Sequence, residues 1–191
     1  MAIMPVIKAQ RDVVGADGAD VSVAETMEDG QIAYLPARQT TGEEIRNPRS
    51  TASLGGHPIH AMLVPFPMVC FVGALITDAV YWRSMSFIWV TFSVWLLTAG
   101  LVGAGLAMIA GVIDFAADRR IRQIRSAWVH ALGNGLVIAL SLINVFVHSR
   151  DGYTAVVPTG IILSGIVVLI MMITGWIGGE MVYRHRVGVA D

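Results

Sequence analysis

The 191-residue chain has a single cysteine, Cys70. One thiol cannot close an internal disulfide, and neither an iron–sulfur cluster nor a cysteine-based zinc site can be built from it. Inside an apolar run it reads as a small packing residue. Charge is also scarce: 14% of residues are charged and the formal net charge is -1, which gives no electrostatic footprint for nucleic acid. The first 60 residues lack the charged-then-apolar pattern of a secretory signal peptide, so the first long apolar run is expected to act as a signal anchor. No nucleophile elbow, phosphate loop or dinucleotide fingerprint is present. Gly100-Leu101-Val102-Gly103-Ala104-Gly105 is a helix-packing run rather than a nucleotide loop. Soluble-type catalysis therefore finds no support.

What the chain does have is apolar length. Hydrophobic residues make up 55% of it. Four stretches, about 61–82, 87–114, 128–148 and 158–183, each supply the roughly 20 apolar residues that a transmembrane helix needs. This predicts an all-α integral membrane protein with four transmembrane helices in an up-down bundle, in contact with lipid. Residues 1–56 differ: acids, Gly, Ser and Thr dominate, with short apolar runs such as Ile32-Ala33-Tyr34-Leu35. They are expected to form a mostly disordered or extended tail, followed by the membrane domain at 57–191.

Orientation follows from Lys and Arg. Lys8, Arg11, Arg38, Arg46 and Arg49 precede the first span, Arg119, Arg120, Arg122 and Arg125 lie between spans two and three, and Arg184 and Arg186 follow span four. The other two loops carry only Arg83 and Arg150. Both termini and the middle loop are thus expected in the cytoplasm. Trp82, Trp89 and Tyr153 then fall at the outer interface, and Trp128 and Tyr183 at the inner one.

Met108-Ile109-Ala110-Gly111-Val112-Ile113 is similar to Met172-Ile173-Thr174-Gly175-Trp176-Ile177. Two tandem hairpins and chance likeness among apolar residues both account for this. Ala99, Gly103, Ala107 and Gly111 recur every four positions, as do Gly175 and Gly179; small residues at that spacing let helices approach closely in lipid.

The polar residues form a pattern. His130, Asn134, Val137, Ser141, Asn144 and His148 follow spacings of 4, 3, 4, 3 and 4, one face of a helix. His60, Val64, Pro67, Phe71, Ala74 and Asp78 repeat that spacing in span one. Such a stripe must face protein or water rather than lipid. His60 to Asp78 and His130 to His148 are both 18 residues, roughly 27 Å of helix and close to the hydrocarbon thickness. His60 and His130 should therefore share an inner depth, and Asp78 and His148 an outer one, where a structural ion pair is as good an account as chemistry. His57, Asp114, Asn134, Glu180 and His185 are candidates for the same inner cluster, roofed by the Arg119–Arg125 loop. Each lies near an interface, where a lone polar group is ordinarily structural; convergence from four helices is what argues for a site.

Gly56-His57-Pro58-Ile59-His60 and Leu63-Val64-Pro65-Phe66-Pro67 resemble the opening of the bacterial membrane domain-of-unknown-function family 2231. Gly111-Val112-Ile113-Asp114-Phe115, His130 with Asn134, and the closing run from Gly175-Trp176 to Gly188-Val189 extend the resemblance over about 55–189. Many relatives carry a further His where this chain has Pro65, so a role for that ligand is missing here. The resemblance implies a four-span domain of the bacterial cytoplasmic (inner) membrane, sometimes met beside Rieske-type iron–sulfur proteins, without an established activity.

Three functions stay open. A b-type haem in membrane electron transfer would take His60 and His130 as axial ligands. His57 and Asn134 would lie nearby, Arg119 and Arg122 would pair with propionates, and the redox partner would be a Rieske-type protein or a quinone. A non-haem transition-metal site would use His60, His130, Asp114 and Glu180. A non-catalytic accessory subunit of a larger membrane complex, or an oligomer, would need neither. Transport is disfavoured, because no span is broken at its middle and the midplane carries no charge.

Overall fold

A computed structural model describes residues 7–14, 20–28, 31–35, 48–150 and 155–189. The chain divides into two units, 1–44 and 45–191. In the first, strands β1 (Ile7–Val14), β2 (Asp20–Glu28) and β3 (Gln31–Leu35) pair antiparallel in the order β1-β2-β3, with Val13 opposite Val21 and Thr26 opposite Ala33. The expected tail falls partly on these strands and partly outside the described residues; Tyr153 lies outside them.

The second unit is helical. Two-residue strands β4 (Ser53–Leu54) and β5 (His57–Pro58) pair just before it. Helix α1 (Ile59–Leu63) runs into α2 (Pro65–Ser84) through Val64. Pro65 has no N–H to donate back into α1, so the ladder is interrupted there and restarts with Pro at the first position, where none is needed. Then come α3 (Ile88–Ala117), the short α4 (Arg119–Gln123), α5 (Arg125–Arg150) and α6 (Ile161–His185). An irregular turn at Val156–Gly160, with non-helical backbone at Val157, leads into α6.

Among the described residues, four helical segments are long and apolar enough to cross a membrane: Ile59–Ser84, Ile88–Ala117, Arg125–Arg150 and Val156–His185. Only 17–33% of their most apolar windows is buried within the molecule, so most of the hydrophobic surface faces outward. Trp176, Val69 and Leu132 are among the large apolar side chains left exposed. In water such a surface would aggregate; in lipid it is the solvent-facing side. This is an all-α integral membrane protein, as expected, with helical segments two or three residues longer than the apolar runs at every end but the start of the second. Hydropathy marks the lipid core, whereas the helices continue into interfacial residues such as Asp114–Ala117 and Arg125–Ala127.

Within the bundle α2 packs on α3, α3 on α5, α5 on α6, and α6 back on α2. Helices α2 and α5 therefore occupy opposite corners. Phe71, Ala74, Leu97, Val137, Val167 and Met171 form the central apolar layer. Gly100 and Gly103 meet Phe71 and Phe66 at distances a Cβ could not tolerate, which is the packing role read for that run. Tyr81, Val90 and Val156 close the end nearest Asp78. Ile121, Ile124 and Ala127 close the end nearest His60, with Phe115, Met181 and Val187 packed on them.

Candidate functional site

The stripe on α5 turns inward as its spacing requires: Val137, Ser141, Asn144 and His148 are buried, and so are Pro67, Phe71, Ala74 and Asp78 on α2. The matched depths hold as well. His60 meets His130 across the bundle at one end, and Asp78 meets His148 at the other.

The imidazoles of His60 and His130 have ring centres 6.0 Å apart and planes at 79°. Each Nδ1 lies against a main-chain carbonyl of a neighbouring helix: His60 against Ala107 O at 2.7 Å, His130 against Thr174 O at 2.9 Å. A carbonyl only accepts, so both Nδ1 atoms carry the proton. In the neutral ring that leaves Nε2 as a free lone pair, the tautomer that binds metals or accepts protons. Each ring also rests on a glycine one turn further along. A Cβ at Gly111 would lie 3.0 Å from His60 Nδ1, and one at Gly178 would lie 2.9 Å from His130 Cε1. The two arrangements are copies: Ala107 and Gly111 serve His60 as Thr174 and Gly178 serve His130, an offset of 67 residues. The six-residue sequence match pairs Gly111 with Gly175, an offset of 64. Function in the structure pairs Gly111 with Gly178, so that sequence register is off by about a turn.

A cavity of about 300 Å³ adjoins the pair. Its polar lining is His60, His130, Asn134, Asp114 and Thr174; the rest includes Phe71, Met68, Ile138 and Met171. Asn134 donates to His130 O at 2.8 Å and accepts from Thr174 Oγ1 at 3.3 Å, which fixes the helix turn carrying His130.

Other predicted members lie elsewhere. His57 is exposed, its Nδ1 donating to Gly55 O. Asp114 reaches the cavity, but its carboxylate accepts from Ser50 Oγ at 2.9 and 3.0 Å and from Ala52 N at 2.7 Å. It clasps the segment before β4 over this end of the bundle, where Gly188 N also donates to Pro48 O. Glu180 pairs with Arg184 at 3.0 Å on an exposed turn, and neither Glu180 nor His185 lines the cavity. Arg122 donates to the last carbonyls of α3, at Phe115 and Ala116, which makes it a helix cap. Arg119 is exposed, and neither arginine lines the cavity. Asp118 caps α4 through Arg120 N and pairs with the Arg120 guanidinium at 2.8 Å; that hydrogen bond holds its carboxyl below the usual range. Among the described residues no three His, Cys, Asp or Glu side chains gather as a metal centre.

At the other end Asp78 is completely buried. It accepts from Ser93 Oγ on α3 at 2.5 Å and from Ser164 Oγ on α6 at 2.6 Å, and it meets His148 Nε2 on α5 at 2.9 Å. Thr77 Oγ1 contacts Ser93 Oγ, and Asn144 Nδ2 donates to Ser164 Oγ. The sequence pattern pointed to Asp78, Asn144 and His148 but missed the two serines. Each sits on a helix without a polar stripe, and only its inward position gave it meaning. His148 also packs on Gly160.

No curated protein and no solved structure matches the chain. A family described as predicted membrane protein, domain-of-unknown-function family 2231, matches residues 56–191. That match takes in all four apolar helices and both polar ends, and the chain belongs to domain-of-unknown-function family 2231.

Proposed function

We propose that the protein is a b-type haem component of a membrane electron-transfer chain, with His60 and His130 as the axial ligands. One observation carries this: two imidazoles from opposite corners of the bundle, each fixed at Nδ1 by a carbonyl and backed by a glycine, at a ring separation of 6.0 Å. His60 and His130 would hold the group through Nε2, the ring nitrogen that the two Nδ1–H···O=C bonds leave unprotonated in the neutral ring. A haem brings four nitrogens of its own and asks the protein for two ligands. A non-haem centre asks for three or four, and Asp114 and Glu180 are engaged otherwise. The apolar lining suits a macrocycle. When bound, the group supplies one-electron transfer; the chain holds it, orients the imidazoles and keeps water away.

The arginine distribution supports placing this end at the cytoplasmic face of a bacterial inner membrane. A quinone or a Rieske-type protein is the corresponding redox partner. The test is the absorption spectrum of detergent-purified protein, oxidised and then dithionite-reduced. A Soret band that shifts on reduction, and that is lost in both His60→Ala and His130→Ala, is expected. A colourless protein that also fails to take up added haemin would overturn the proposal.

A further inference from the structure

The Asp78 cluster has its own chemistry, separate from the His60–His130 pair. Its donors can be counted. His148 Nδ1 donates to Asn144 O at 2.9 Å, Ser93 donates to Asp78 Oδ1, Ser164 donates to Oδ2, and Asn144 Nδ2 donates to Ser164. One proton remains, between His148 Nε2 and Asp78 Oδ1 at 2.9 Å. It can reside on either atom, as imidazolium with carboxylate or imidazole with carboxylic acid, and the net charge of the pair is zero both ways. To these contacts α3 and α6 contribute only the hydroxyls of Ser93 and Ser164.

Two acceptors are unspent. Ser141 Oγ and Asn144 Oδ1 are buried and have no hydrogen-bond partner among the described residues. They lie one helical turn apart on the same inward face of α5 as His148. Leaving buried polar atoms unpaired is costly, and native structures commonly resolve it with an internal water. The amide oxygen can only accept, so a shared partner must donate to it, whereas the Ser141 hydroxyl can donate or accept.

We propose that Ser141 Oγ and Asn144 Oδ1 bind an internal water, and that this water makes the Asp78–His148 pair a proton-exchange site inside the membrane. Water passes one proton to the pair as the pair's own proton leaves on the water, so charge is conserved at each exchange. Gly160 backs directly onto the His148 ring, and Val156 beside it is buried. On the opposite side the Phe71–Leu97–Val137 layer separates this water from the His60 end.

The experiment is hydrogen–deuterium exchange at the ring nitrogens of His148, followed by NMR on ¹⁵N-histidine-labelled protein in detergent micelles, with the resonance assigned by its loss in His148→Gln. The ring protons are expected to exchange at least about tenfold faster than core amides such as Val167 N–H, which open only with the fold. Ser141→Ala, which removes one unpaired hydroxyl and none of the contacts to Asp78, is expected to slow that exchange about tenfold. Ring exchange no faster than the core amides would overturn the proposal, making the cluster a sealed structural tie. Fast exchange left unchanged by Ser141→Ala would overturn it equally. The readout does not depend on haem, so its failure and that of the haem reading are distinct.

Discussion

Adding one methyl group at Gly178 tests whether the imidazole cradle is as tight as it is drawn. The new Cβ would lie 2.9 Å from His130 Cε1 and 3.1 Å from Nδ1, so the ring must retreat by about 0.5 Å to reach ordinary van der Waals contact. Retreat stretches the 2.9 Å hydrogen bond to Thr174 O, whose loss costs about 0.5–1.5 kcal/mol. Overpacking of this kind costs about 1–3 kcal/mol in total, and replacing glycine by alanine in a helix returns roughly 0.4–1 kcal/mol. The net expectation is a loss of about 1–2 kcal/mol. Gly105 and Gly165 provide internal controls, since a Cβ at either meets nothing within 4 Å; Gly105→Ala and Gly165→Ala should stabilise by up to about 1 kcal/mol. The gap between Gly178→Ala and the controls is then about 2–3 kcal/mol, or roughly 5–10 °C in Tm for a chain of this size. Thermal unfolding in mild detergent, followed by circular dichroism, measures it. If Gly178→Ala melts with the controls, the ring has slack and the argument for a pre-set ligand pair fails.

Asp78→Asn keeps one acceptor oxygen but removes the carboxylate charge and sets an NH2 donor against a buried donor, and should cost about 3–5 kcal/mol; a loss under about 1 kcal/mol in the same melts would show the network to be loosely held. Glu180→Gln touches only an exposed pair and should change Tm by less than the equivalent of about 0.5 kcal/mol, with cofactor content unaltered; loss of bound metal or haem would return Glu180 to the site. The Asp118–Arg120 pair gives a pH dependence. Because the folded carboxyl is held low, its contribution is complete above the ordinary carboxylate range and fades as pH falls through the depressed value. The pair is partly exposed, so the effect is at most about 1 kcal/mol. Wild type should therefore lose more Tm than Asp118→Asn between pH 6 and pH 3, and equal losses would contradict it.

Periodicity and depth were legible in the sequence because both are properties of one helix at a time. The spacing from His130 to His148 specified a face, and equal separations in two parallel spans specified equal heights; the structure keeps both. What needed the fold was partnership across helices. Asp114 looked like a ligand because it ends a span near two histidines, yet its carboxylate is occupied by Ser50 and Ala52, residues more than 60 positions upstream. Gly175 and Gly179 were the visible small-residue pair, but Gly178 is the one that touches His130. Nothing local distinguishes a glycine under an imidazole from one facing lipid. The helix ends were misjudged for a different reason: interfacial residues continue a helix without being apolar.

The placement of the two polar contacts has a mechanical consequence. Both join opposite corners of the square rather than adjacent sides, one near each end. Diagonals resist skewing in a way that edges do not. A sliding or tilting of one hairpin past the other lengthens a diagonal at once, although every neighbouring pair of helices could follow the motion while staying in contact. Any large rearrangement of this bundle must therefore release one end first and hinge about the other.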